Sequence, residues 1–170
     1  NGSGATVRGF NVEGRAAFTR WFELQAGVTL QQSRYKEPEF WSEDAEVPPV
    51  RRMFRTPDTY GYFTASFKPV RNFTADLSGT CTGSMLVQHM AGSGVAQDVA
   101  VSTPSFFDMN IRLSYDVRIY KEITMQLYGG VQNLFNAYQK DFDKGVDRDS
   151  GYIYGPSLPR SWFVGAKFSF

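Results

Sequence analysis

Apolar and polar residues alternate with a period of two along most of this chain. The clearest case is FFDMNIRLSYDVRIY, residues 106–120. Phe107, Met109, Ile111, Leu113, Tyr115, Val117 and Ile119 fall on odd positions, and Asp108, Asn110, Arg112, Ser114, Asp116 and Arg118 on even ones. A helix would scatter these residues around its circumference, so the pattern predicts a strand with one apolar and one polar face. About 13 residues at roughly 3.3 Å each, tilted near 45°, rise about 30 Å, the thickness of a bilayer's hydrocarbon core. Similar alternation predicts strands over 7–19, 21–35, 59–68, 72–88, 122–133 and 161–170, seven in all. In the last, Trp162, Val164, Ala166, Phe168 and Phe170 share a face, and Phe163 is the one apolar residue on the other.

The connections alternate in length. Little more than Arg20, the PVRN around Pro69, and Tyr120 with Lys121 make three tight turns, whereas residues 36–58, 89–105 and 136–158 form three long loops. Short turns at one end of a meander and long loops at the other are the pattern of an outer-membrane barrel. Alternation alone does not say whether the apolar face meets lipid or a protein core, because a soluble lipocalin-like barrel has the same period with its faces exchanged. Bilayer-length strands favour lipid. So do charges of both signs at mid-strand, Glu13 with Arg15 and Arg112 with Asp116, which a wet lumen accepts. Phe18, Trp21, Phe22, Tyr60, Tyr62, Phe106, Tyr120 and Trp162 lie near strand ends, where an interfacial girdle would sit. The fold expected is all-β, an antiparallel up-and-down meander of about seven long strands, part of a larger transmembrane β-barrel.

Composition narrows the chemistry. A net charge of +1 over 170 residues supplies no excess field for phosphates, so no nucleic-acid partner is expected. One cysteine, Cys81, and one histidine, His89, leave neither a disulfide framework nor a four-ligand Cys/His zinc site. No stretch approaches the roughly 18 apolar residues of a membrane helix, a test that barrels escape. The first residue is Asn1, not Met, which suggests a processed product or a piece of something longer.

Residues 130–170 carry a specific resemblance. The V-x-N-L-F-N run from Val131 to Asn136, then Tyr138, a polar loop, Gly155-Pro156 before a basic residue, and a strand ending in Phe resemble the carboxy-terminal end of TonB-dependent outer-membrane receptors. YGPSLPRSWFVGAKFSF is similar in flavour to receptors of Bacteroidetes-type bacteria. The resemblance implies a barrel of about 22 strands around an amino-terminal plug. Such receptors import siderophore-iron, haem, cobalamin or glycans with energy passed from TonB, in the outer membrane of a Gram-negative cell. Seven strands without a plug would make residues 1–170 a carboxy-terminal fragment, touching outer-membrane lipid and coupled to TonB only through the missing plug. Its unpaired edges would make it self-associate in water. The resemblance also implies that Phe170, with Phe168, forms the signal read by the barrel-assembly machinery; anchoring at the interface is the alternative.

Three loop constellations could carry chemistry. In 36–58, Arg51, Arg52 and Arg55 with Trp41 could grip an anionic small-molecule ligand through guanidinium pairing and stacking, or could salt-bridge to the loop's own Glu37, Glu39, Glu43, Asp44 and Glu46. In 141–151, Asp141, Asp143, Asp147 and Asp149 offer the hard oxygens that calcium prefers, but Val146 and Tyr152 stand where the EF-hand template needs Gly and Glu, so a solvated acidic loop is the competing reading. His89 and Met90, expected at the loop end of the fourth strand, could ligate haem. No nucleophile and base are placed together, so no catalysis and no resident cofactor are expected. Two alternatives stay open: a self-contained small barrel that binds a ligand inside, and an outer-membrane enzyme using His89.

Overall fold

The computed structural model describes residues 4–156 and 158–170. Strands account for nearly all the regular structure: β1 (Ala5–Thr19), β2 (Phe22–Glu39), β3 (Val50–Arg52), β4 (Thr59–Val70), β5 (Phe73–Thr82), β6 (Leu86–His89), β7 (Val99–Ser102), β8 (Phe106–Tyr120), β9 (Ile123–Gln132) and β10 (Ser161–Ser169). Seven of them pair antiparallel in the order β1-β2-β4-β5-β8-β9-β10, with short β3 added beside β2. The predicted meander is therefore the observed one, and the tight turns all lie at one end. Among the described residues β1 and β10 do not pair with each other, so the sheet is open. No closed small barrel forms.

Register turns the sequence alternation into two continuous faces. Val12 sits opposite Val28, Leu24 opposite Ala65, Ala65 opposite Leu77, Leu77 opposite Ile111, Ile111 opposite Val131, and Val131 opposite Trp162. A slip of one residue anywhere would break this band, because it would turn a whole strand over. Much of the band is exposed, Val164 by 90%, Trp162 by 76% and Phe10 by 67%, while Val131 within it is buried. Water charges about 25 cal/mol per Å² for such surface, so a face this wide needs an apolar neighbour.

The opposite face is a polar lattice. Asn11 donates to Thr29 at 2.7 Å, Gln25 donates to Glu13 at 2.9 Å and to the Tyr62 hydroxyl at 3.2 Å, Arg15 pairs with Glu23, and Gln126 donates to Asp116 at 2.9 Å. Phe163, the residue out of step, lies on this side: its ring is 6.4 Å from that of Tyr128, which in turn carries Arg112 at 4.5 Å. Space for these rings comes from glycine. A Cβ on Gly165 would stand 2.5 Å from Tyr128, and one on Gly27 would stand 2.7 Å from Tyr62.

Two sequence expectations are corrected. Residues 72–88 do not form one strand. β5 ends at Thr82, and Leu86–His89 turns away to pair with Val99–Ser102 as a separate hairpin. The apolar alternation continues through the break because Val87 is completely buried in protein instead of facing outward. The girdle also divides. Phe18, Trp21 and Phe22 cluster with Phe67 at the turn end, and Trp162 joins the apolar band, but Tyr62 bonds into the polar lattice and Phe106 packs on Tyr154 at 5.8 Å.

Candidate functional site

The three long loops gather over the end of the sheet opposite the tight turns and lock into one cap. Its entry is the V-x-N-L-F-N segment. Asn133 and Asn136 adopt φ of 51° and 54°, the left-handed region that Asn tolerates better than most residues. Asn133 is 4% exposed; its side chain accepts from Ala137 N–H at 2.8 Å and donates to the carbonyls of Ala137 and Leu158, tying both ends of the last loop. Asn136 accepts from the Arg160 amide at 2.9 Å. The motif is thus the hinge pin of the loop.

At the heart of the cap is His89. Its ring lies flat on Tyr152, 3.7 Å between centroids with 4° between planes, and its Nε2 reaches both oxygens of Asp143 at 3.0 Å. A carboxylate only accepts, so Nε2 carries the hydrogen. His89 and Asp143 side chains are 7% and 3% exposed. Asp143 also accepts from the Asp149 amide, and Asp149 accepts from the amides of Met90 at 2.8 Å and Gly151 at 2.7 Å. Asp141 accepts the hydroxyls of both Tyr152 and Tyr154.

These bonds set the acidities. The Asp149 amide, then His89, hold the Asp143 carboxyl below its ordinary value. Burial alone would raise Asp141, but the Tyr154 and Tyr152 hydroxyls outweigh it and hold that carboxyl low. Burial, with the Asp141 carboxylate next, pushes the Tyr152 phenol up to about 12 and raises Tyr154 as well.

Three of the four acidic side chains in the loop therefore face the protein's own donors. Asp141, Asp143 and Asp149 are committed as above, and Asp147 contributes its carbonyl to the Ser93 amide. Among the described residues no three His, Cys, Asp or Glu side chains converge in a way that could hold a metal ion. His89 is occupied by Asp143 and Tyr152, and Met90 enters the cap through its backbone amide, which donates to Asp149.

The arginine constellation disperses. Arg52 pairs with Asp58 at 3.0 Å and donates to the Ser84 carbonyl at 2.6 Å, while Arg55 clamps the last loop by donating to the carbonyls of Ile153 at 2.8 Å and Gly151. Trp41 packs on Phe54 at 5.3 Å and donates to the Pro48 carbonyl. Arg51 is exposed and has neither an ion pair nor a side-chain hydrogen bond among the described residues. Phe168 pairs with Met125 on the apolar face, and Phe170, fully exposed, follows the last strand.

Reasoning from sequence missed a hollow of about 630 Å³ held inside the last loop. Tyr138, Phe142, Tyr152 and Ile153 supply apolar walls, and Lys144 and Arg148 also line it. Its signal in the sequence was the scatter of large apolar residues through a loop otherwise read as acidic.

The ferric-catecholate import receptor Fiu from E. coli superposes over 95% of this chain with a TM-score of 0.65 at 20% identity. The siderophore receptor PiuA from Acinetobacter baumannii does so over 95%, with a TM-score of 0.63 at 17% identity. The likeness shows the fold. It is an antiparallel meander belonging to a larger barrel, and this chain spans only about a fifth of either receptor, 20% and 21%. No protein-family model and no curated protein matches the sequence. Neither receptor comes from a Bacteroidetes bacterium, so they lend that part of the resemblance no support.

Proposed function

We propose that the chain is a wall segment, the carboxy-terminal strands, of a TonB-dependent outer-membrane receptor that takes up a metal chelate or cofactor such as siderophore-iron, haem or cobalamin. The observation that carries this reading is the continuous, largely exposed apolar band on strands of bilayer length, backed by a polar lattice with charges of both signs. Lipid covers the band, the lattice lines the lumen, the cap faces the outside of the cell, and the turn end faces the periplasm. Likeness to two import receptors supports transport over catalysis. His89, stacked and bonded, serves the cap and no reaction. TonB acts through parts of the receptor beyond these strands.

The reading is tested by nitroxide labels at Val164→Cys and Asp116→Cys, each in a Cys81→Ser background in isolated outer membranes. The label at 164 should collide with dissolved oxygen and be shielded from a water-soluble nickel complex, and the label at 116 should show the reverse. Equal access of the nickel complex to both would end the proposal.

A further inference from the structure

We infer that the hollow inside the loop of residues 138–156 is a binding site for a small aromatic anion. The inference rests on the proposed function only in taking this loop to face the ligand's side of the membrane; binding itself follows from the loop's chemistry.

The size comes first. About 630 Å³ lies in the range of small-molecule sites, roughly 300–1,000 Å³. The shape is imposed by bonds that do not depend on a ligand. Gln139 donates to the Tyr152 carbonyl and accepts from the Tyr154 amide, Asn133 ties the loop's two ends, and Asp141 collects two tyrosine hydroxyls. The walls are therefore standing before anything enters, which lowers the ordering cost of binding.

Charge then selects the occupant. The loop holds Asp141, Asp143, Asp147 and Asp149 together with Lys140, Lys144 and Arg148, yet no Asp–Lys or Asp–Arg pair forms within it among the described residues. The carboxylates of Asp141, Asp143 and Asp149 turn to hydroxyls, amides and His89 instead, and that of Asp147 has no side-chain partner among the described residues. Asp143 and Asp149 also line the hollow, but their oxygens are already taken by His89 and by backbone amides. Lys144 and Arg148 are left at the hollow with no carboxylate partner. The Lys144 ammonium rests 5.8 Å from the Phe142 ring, and among the described residues the Arg148 guanidinium bonds only the Gly145 carbonyl, at 3.0 Å. Two cations beside aromatic walls suit a flat ring bearing a carboxylate: the ring packs on Tyr138 and Phe142, and its anion meets the cations.

Salicylate is the direct probe, read by saturation-transfer NMR and calorimetry on the detergent-solubilised protein. Salicylamide keeps the ring without the charge, and cyclohexanecarboxylate keeps the charge without the aromatic ring. Salicylate should bind, with both analogues at least about fivefold weaker, and Lys144→Gln and Arg148→Gln should each weaken it about fivefold. Lys121→Gln, at the far end of the sheet, should change nothing. Absence of salicylate binding, equal binding of salicylamide, an unchanged Lys144→Gln/Arg148→Gln double variant, or an equal loss on Lys121→Gln would each overturn the inference. None of these results bears on the lipid exposure of Val164, so this site and the membrane reading stand or fall separately.

Discussion

Tyr152→Phe removes one oxygen from the centre of the cap and leaves the stacked ring in place. Tyr152 is 2% exposed, and its hydroxyl donates to Asp141 at 3.0 Å. A hydrogen bond to a charged group is worth about 1.5–3 kcal/mol, and the lower part of that range applies because Tyr154 still serves the other Asp141 oxygen. An independent ceiling comes from acidity. Raising the phenol from its ordinary 10 to about 12 corresponds to about 2.7 kcal/mol between its two protonation states, and burial supplies the first share of that. The variant should therefore ease local opening of the cap by about 1.5–2 kcal/mol, or roughly 10- to 30-fold.

Amide hydrogen exchange across 136–158, and trypsin cleavage at Lys144 and Arg148 under conditions where cleavage tracks the open population, both read this directly. The same hydroxyl gives an alkaline limit. Because folding raises its pKa, its contribution is complete below about pH 10 and disappears as pH climbs through about 12, so the parent cap should loosen more in that window than the variant, which keeps only the Tyr154 hydroxyl on Asp141. Exchange within twofold of the parent, with the sheet amides also unchanged, would refute the claim that this hydroxyl holds the cap.

Acid should open the same cap by a different group. Asp143 and Asp141 have lowered pKa values in the fold, so their stabilisation is complete above the ordinary carboxyl value of about 4 and is lost as pH falls below it; exchange of the loop amides should rise there in the parent and much less in Asp143→Asn. In the sheet, Gly165→Val should push Tyr128 off Arg112 and cost about 1–3 kcal/mol, lowering the temperature at which the folded form is lost on heat-modifiability gels. Gly14→Val, where a new Cβ meets nothing within 4 Å, should leave that temperature unchanged. We also propose that Phe170, with Phe168, is read by the barrel-assembly machinery: deleting Phe170 should cut the amount of folded receptor in the outer membrane, and an undiminished amount would leave it only an interfacial anchor.

Strands and loops differed in legibility for a physical reason. In the sheet each residue's environment is decided by parity. Ile111 and Arg112 point to opposite faces whatever their neighbours are, and register then follows from keeping every apolar residue on one side. Seven strands, their order and the two faces were therefore readable from the period alone. The break after Thr82 was not, because Leu86–His89 keeps the same period for a different reason: Val87 is buried by the cap, and burial in protein and burial in lipid select the same residue types.

The cap lies beyond such reasoning. His89 meets Asp143 across 54 positions, and no periodicity links them. What the sequence did hold was local. D-x-D at Asp141 and Asp143, followed by Y-x-Y at Tyr152 and Tyr154, places two acceptors and two donors at matching steps, and both hydroxyls converge on Asp141. Counting acidic residues suggested calcium, whereas counting donors beside them would have suggested a loop that satisfies its own carboxylates with hydrogen bonds. The same accounting explains Arg52 and Arg55. Each arginine sits in a loop whose backbone must end its hydrogen bonds somewhere, and the carbonyls of Ser84, Gly151 and Ile153 are those ends. A loop's free charges are thus found by subtraction: once the carboxylates at the hollow have taken their donors, Lys144 and Arg148 are left without a carboxylate partner among the described residues, and a cation left over beside aromatic walls is where a ligand's charge has most to gain.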